Sequence, residues 1–158
     1  MKKIIHKFLR KHGLDFSIDF ASGTRPAIAF VKMLMENKKL IGVEIGSDRG
    51  GNAKDILNKL NIEKLYLIDP YEDYEDYDEL CNKVHKRGES EEIIRKELKK
   101  ELKEGKVIII KKYSSDAIKD IPNNLDFVYM DANHKYEYVL KDLEDYYPKV
   151  RGGDIVWT

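Results

Sequence analysis

From about residue 40 onward the chain alternates between two hydrophobic patterns. Short apolar runs rich in β-branched residues occupy Leu40 to Ile45, Lys64 to Ile68, Val107 to Ile110, Leu125 to Met130 and Asp154 to Trp157. They are mostly unbroken, as expected of strands covered on both faces. Between them apolar residues recur at helical spacing: Ile56, Leu57 and Leu60, then Ile93, Ile94, Leu98 and Leu102, then Tyr136, Val139, Leu140, Leu143 and Tyr147. Each group forms one helix face able to cover a sheet. Strands alternating with amphipathic helices predict a parallel sheet between two helical layers.

Ahead of the first strand, Pro26 suits an opening helical turn, and Ala27, Phe30, Val31 and Leu34 keep one face apolar. The segment after Met1 is basic and interrupted by charges, which reads as an amphipathic helix rather than a signal peptide. Glu91 to Glu104 reads as a single solvated helix, with pairs such as Glu92 and Lys96 at i,i+4 and Gly105 as its end. Residues 1–38 are therefore expected to form N-terminal helices and residues 39–158 a core, together one domain of ordinary size for 158 residues.

Composition narrows the partners. Lysine and arginine total 29, as do aspartate and glutamate. With no net field toward phosphate, neither nucleic acid nor a membrane surface is an expected partner. The longest apolar run, Ala27 to Val31, is far short of the roughly 20 residues that span a bilayer. Cys81 is the lone cysteine, which rules out an internal disulfide and suits a reducing, cytoplasmic setting.

The candidate chemistry begins where the first strand meets a glycine-rich turn, Val43-Glu44-Ile45-Gly46-Ser47-Asp48-Arg49-Gly50-Gly51-Asn52. In an open α/β sheet, ligands bind at such carboxyl ends of strands. Gly46, Gly50 and Gly51 permit positive φ and close backbone approach, and Asn52 with Asp55 offers a helix cap. Position 48 is Asp, so G-x-G-x-x-G is absent, and no Gly-Lys-Ser/Thr follows. Glu44 would repel a pyrophosphate but favour a cationic amino group. Asp69, followed by Pro70 and 23 residues after Gly46, is placed to accept hydrogen bonds from two ribose hydroxyls. These features together describe a nucleoside ligand without phosphates.

On these residues the chain resembles the class I S-adenosylmethionine-dependent methyltransferases. Glu44-x-Gly46-x-x-x-Gly50 is similar to that fold's first motif and Asp69 to its ribose-binding acid. Ser114 and Ser115 match a small polar turn that contacts adenine in small-molecule O-methyltransferases. Asp131-Ala132-Asn133-His134 resembles the Asp-x-x-His signature of a subgroup that includes sugar O-methyltransferases. The resemblance covers roughly residues 40 to 158. It implies a Rossmann-like three-layer α/β sandwich with a mainly parallel sheet of order 3-2-1-4-5. The usual last two strands are not legible, so further sequence or a second copy of the chain is expected to cover the strand-5 edge.

The resemblance further implies S-adenosylmethionine as cofactor, held by Glu44, Gly46, Gly50, Asp69, Pro70, Ser114, Ser115 and Asp131, and a small hydroxylated acceptor such as a sugar. By the same resemblance His134 is the catalytic base, and Asp131 is a catalytic residue and ligand of a metal such as Mg²⁺. Plainer readings stand beside these. The glycines can serve packing alone, Asp69-Pro70 can simply begin a turn, Ser114, Ser115 and Asp116 can cap a short helix, and His134 can bond the backbone. Tyr71, Tyr74 and Tyr77, spaced three apart, read as one helix face packed on the body. Two other functions are compatible with the sequence: a cofactor-binding or assembly module without catalysis of its own, and a nicotinamide-dinucleotide domain.

Overall fold

A computed structural model describes residues 25–35, 38–72, 87–151 and 156–157. Pro26 opens helix α1 (Pro26–Met35), and a strand-helix series follows: β1 (Leu40–Ile45), α2 (Gly51–Lys59), β2 (Ile62–Ile68), α3 (Arg87–Glu97), α4 (Lys99–Lys103) and β3 (Val107–Ile110). The chain continues through the short helix α5 (Ser114–Ala117), β4 (Phe127–Met130), α6 (Tyr136–Tyr146) and β5 (Val156–Trp157). The strands form one sheet of order β3-β2-β1-β4-β5, and each neighbouring pair is parallel. The parallel sheet is the one the strand-helix alternation predicts, and its order is the Rossmann-like one the family resemblance implies.

The period of two along each strand divides the core. Leu40, Leu65, Leu67, Val107 and Phe127 face one side, where they meet Ile28 and Val31 of α1, Ala53 and Ile56 of α2, and Ile94 of α3. Val43, Ile45, Ile68, Val128 and Met130 face the other, against Ala117, Ile121, Tyr146 and Val150. Fully burying one such side chain contributes about 1.5–3 kcal/mol, so each helical layer is held by its apolar stripe rather than by its charges.

Boundaries depart from the sequence reading in three places. The predicted single helix over 91–104 starts at Arg87 and divides at Leu98, whose backbone leaves the helical region (φ −105°, ψ 23°) while its side chain is buried. Gly105, at φ 66°, ends the second piece. Strand β4 starts at Phe127, because Leu125 makes an isolated bridge to Val150 and the Asp126 carboxylate is spent on the Ile41 N–H (2.9 Å) and Lys38 Nζ (2.7 Å). Strand β2 begins two residues earlier than predicted, at Ile62. The expected helix before residue 25, Tyr74, Tyr77, Cys81 and the first two residues of the predicted last strand lie outside the described residues. Among the described residues no helix is long and apolar enough to cross a membrane.

One glycine is fixed by packing alone. A Cβ at Gly42, in the middle of β1, would lie 2.1 Å from the Phe127 ring on β4. Gly42→Ala is therefore expected to cost about 1–3 kcal/mol through overpacking. Gly51→Ala, whose new Cβ meets nothing within 4 Å, should leave stability unchanged or raise it by up to about 1 kcal/mol. Urea midpoints of the two variants against the parent check both values.

Candidate functional site

Strand β1 leads into its turn through a backbone clamp. The Gly46 N–H donates to the Ile68 carbonyl at 2.8 Å, carrying the ladder one residue past β1. Gly46 has φ 86°, and a Cβ there would sit 2.4 Å from the Asp131 carbonyl oxygen and 2.7 Å from Ala132 Cα. Only glycine admits both that conformation and the crossing of the chain that leaves β4. Gly50 has φ 78° and rests against Ile94 of α3. Gly51, grouped with these two in the sequence reading, needs no positive φ because it already lies inside α2.

Asp69, buried at the end of β2, fixes this turn. Its Oδ2 accepts the Asp48 N–H at 3.0 Å and its Oδ1 the Tyr71 N–H at 2.8 Å. Tyr71 is held at φ 53° with its ring buried, and its hydroxyl lies 2.7 Å from Ser47 Oγ. Tyr71 thus sits in a strained loop rather than opening a helix face, and half-buried Pro70 lies between it and Asp69. Ser90 Oγ, from α3, donates to Asp48 Oδ1 at 2.6 Å. Sequence reasoning missed Ser47 and Ser90, since nothing in their spacing separates them from surface serines.

Glu44 is 1% exposed near the end of β1. Its Oε1 accepts a hydrogen bond from Asn52 Nδ2 at 3.0 Å. Its Oε2 and the Asn52 Oδ1 are both buried without a hydrogen-bond partner. Burial pushes this carboxyl up to about 8; the Asn52 bond opposes the shift, Asp131 adds to it, Arg25 opposes it, and Asp69 adds to it. The expected Asn52 cap is not formed: α2 is capped by Gly50 in the left-handed region with no side-chain bond, because the Asn52 amide is committed to Glu44. Asp55 instead lies 3.6 Å from Lys59.

Asp131 follows β4 and is half-buried. Its Oδ2 pairs with Arg25 Nη1 at 3.1 Å, and the same nitrogen lies 3.4 Å from the Tyr129 hydroxyl. His134 Nε2 stands 3.7 Å from Asp131 Oδ1, an ion-pair separation beyond hydrogen-bond length, with its side chain 64% exposed. Ser114 and Ser115 open α5 beyond β3, and Tyr113 precedes them without a side-chain cap. Ser114 is tied to α6: its carbonyl accepts the Tyr146 hydroxyl at 2.7 Å, and its hydroxyl bonds Asp142, a carboxyl pushed up chiefly by burial. Ser115 is exposed.

The structure therefore gathers Glu44, Gly46, Asp69 and Asp131 at the carboxyl ends of β1, β2 and β4, while Ser114 and Ser115 stand beyond β3. The expected Mg²⁺ site does not fit these residues. Among the described residues no group of three or more His, Cys, Asp or Glu side chains could hold a metal ion, and Asp131 is already engaged by Arg25.

Strand order reverses between β1 and β4, and the carboxylates stand at the carboxyl ends of these strands, which defines a Rossmann-like α/β protein with a candidate ligand site at its topological switch point. Residues 43–157 match a protein family described as "Methyltransferase domain", and the chain belongs to that family. An uncharacterized protein of Acanthamoeba polyphaga mimivirus is 30% identical over 128 residues, covering 77% of this chain and 52% of the viral protein. The chain thus spans about half the length of that relative. Among solved structures, a rRNA methylase from Streptococcus thermophilus is similar with a TM-score of 0.57 at 14% identity, covering 84% of this chain and 70% of that one. A Streptococcus mutans protein solved in complex with SAH gives 0.53 at 12% identity, covering 80% and 67%. The spermidine synthase of Thermotoga maritima gives 0.50 at 14%, covering 78% and 41%. At these identities the likeness shows the fold, which hosts more than one reaction.

The buried Glu44 makes stability depend on pH. Unfolded, this carboxyl titrates near 4.5; folded, near 8. Between those values the folded state holds the extra proton, so this contribution is full below about pH 4.5 and is lost as pH rises toward 8. Glu44→Gln should remove that loss and stabilise the protein at pH 8, on the order of a few kcal/mol. Asp142 is shifted in the same direction, so the difference between parent and variant melting curves from pH 5 to 8 isolates Glu44.

Proposed function

We propose that the chain binds S-adenosylmethionine in the crevice at the ends of β1, β2 and β4 and methylates a hydroxyl group of a small molecule such as a sugar. The observation that carries this reading is the convergence of Glu44, Asp69 and Asp131 around Gly46 in a chain of the methyltransferase-domain family. The SAH held by the Streptococcus mutans protein of like fold supports the cofactor. The two orphaned acceptors, Glu44 Oε2 and Asn52 Oδ1, fit a ligand that brings buried hydrogen-bond donors.

When bound, the sulfonium cofactor supplies an electrophilic methyl group; the protein supplies orientation and a dry site. Asp69, whose carboxylate accepts the Asp48 and Tyr71 N–H groups, is the acceptor for the ribose hydroxyls. Gly46 and Gly50 shape the cradle, Pro70 lies against the adenine, and Ser114 and Ser115 meet its edge. Glu44 serves the cofactor's cationic amino group. His134 takes the proton of the acceptor hydroxyl, a role its exposure permits, and Asp131 orients it. The chain works in a reducing cytoplasm.

A second reading, cofactor binding without catalysis, draws on the 3.7 Å gap between His134 and Asp131. Titration calorimetry with S-adenosylhomocysteine tests the first step: binding is expected in the parent and should weaken about 10- to 100-fold in Asp69→Asn, as loss of hydrogen bonds to a charged acceptor requires. NAD should not compete. A folded parent that gives no heat overturns the proposal. For catalysis, His134→Ala should lower turnover about 10²–10⁴-fold while cofactor affinity stays constant. Binding without turnover across a broad panel of hydroxylated acceptors would favour the second reading.

A further inference from the structure

We infer that the Arg25 guanidinium is the cation of the acceptor site, doing there the work a metal ion would otherwise do. Its side-on pair of N–H groups, on Nε and Nη2, receives two adjacent oxygens of the substrate, one of them the hydroxyl that is methylated. The inference rests on the methyl-transfer reading above and deepens it by naming the substrate class, a small molecule with vicinal hydroxyls, and a metal-independent route.

Donor arithmetic carries the argument. A guanidinium holds five N–H donors in one rigid plane. Arg25 commits Nη1 to Asp131 Oδ2 at 3.1 Å and to the Tyr129 hydroxyl at 3.4 Å. Among the described residues nothing takes the protons of Nε and Nη2. Those two nitrogens present parallel N–H bonds, the fork that binds a pair of oxygens bidentately. With its side chain 45% exposed, the arginine keeps surface for a ligand. Pro26 and the buried Ile28 and Val31 fix the chain on its side of the site.

Asp131 places this cation beside the base. Its Oδ2 holds Arg25 and its Oδ1 faces His134 Nε2 at 3.7 Å, so guanidinium and imidazole flank one carboxylate at the end of β4. A metal ion would need the same carboxylate, and among the described residues no group of three His, Cys, Asp or Glu side chains is there to share it. The guanidinium brings a permanent positive charge without such a ligand set. A cation in contact favours the ionised form of an acceptor hydroxyl, and a donor aimed at a developing oxyanion is worth about 10²–10³ in rate. Asp131 and Asp69 repel an anionic substrate, which favours vicinal hydroxyls over a carboxylate as the oxygen pair. The step balances: an oxygen lone pair forms the new C–O bond, the S–C bonding pair stays on sulfur, the hydroxyl proton passes to His134, and the guanidinium keeps all its protons.

The probes are simple sugars and cyclic polyols with adjacent hydroxyls, set against counterparts whose hydroxyls stand apart, with S-adenosylhomocysteine formation by the full chain as the readout. Turnover of the vicinal probes is expected to exceed that of their counterparts and to be unchanged by excess EDTA. Magnesium chloride titrated into the parent should give no binding heat. Arg25→Met should lower turnover about 10²–10³-fold while S-adenosylhomocysteine affinity and melting temperature stay constant. Arg25→Lys, which keeps the charge without the fork, should fall between the two. Turnover abolished by EDTA and restored by Mg²⁺, full activity in Arg25→Met, or equal use of adjacent and separated hydroxyls overturns the inference and leaves the methyl-transfer reading intact. Cofactor binding with no turnover of any probe overturns the inference together with the catalytic reading, and no binding heat from folded protein overturns the cofactor reading as well.

Discussion

Two backbone N–H groups on one carboxylate hold the crevice together. Asp69 accepts from Asp48 on one side and Tyr71 on the other, so the glycine-rich turn after β1 and the chain leaving β2 are fastened to a single side chain. Hydrogen bonds to a charged acceptor are worth about 1.5–3 kcal/mol, roughly twice a neutral pair, and here the acceptor is buried. The other contacts reinforce this one: Tyr71 reaches back to Ser47, Ser90 reaches in from α3 to Asp48, and Gly50 lets Ile94 close over the turn. The left-handed backbone of Asp48 and Tyr71 costs on the order of 1–3 kcal/mol per residue. It persists because the surrounding bonds determine it more than once.

The same arrangement concentrates acid where a folded protein gains least from it. Glu44, Asp69 and Asp131 occupy the ends of three neighbouring strands, and the cation acting on Glu44 is Arg25. The Arg25–Asp131 pair is partly exposed and is worth under about 1 kcal/mol, so it does not offset the burial of Glu44. A core built for stability alone would place an apolar residue at position 44, between Val43 and Ile45.

How much of this was legible in the sequence follows from which interactions are periodic. The strands and the two helical layers were readable because β-branched runs and 3.6-residue stripes repeat over many positions and average out local exceptions, whereas the strand order followed from the family resemblance. Glu44, Gly46, Gly50 and Asp69 were readable because strand ends and glycine turns stand out against those repeats. What stayed hidden depends on single three-dimensional contacts. Asn52 looked like a cap, yet its amide turns inward to Glu44. Tyr71 looked like the start of a helix face, yet Asp69 holds its N–H in a left-handed loop. The division at Leu98 left no mark, because a buried leucine satisfies the same apolar pattern whether the helix continues or turns. The pattern also could not say that Ser114 would be claimed by Asp142 and Tyr146.

Arg25 shows how the segment before β1 enters the chemistry. It lies outside the family match over 43–157, and no motif marked it. Pro26 fixes the start of α1 immediately after it, and Ile28 and Val31 anchor that helix in the apolar layer it shares with Ala53 and Ile56. Together these hold the guanidinium over the end of β4, where it meets Asp131 and Tyr129. A positive charge reaching the acid cluster from an element outside the matched domain alters how readily Glu44 ionises. The packing of α1 and the ionic state of the crevice are therefore one physical problem: whatever loosens Ile28 and Val31 from the core also withdraws the charge that opposes the upward shift of Glu44.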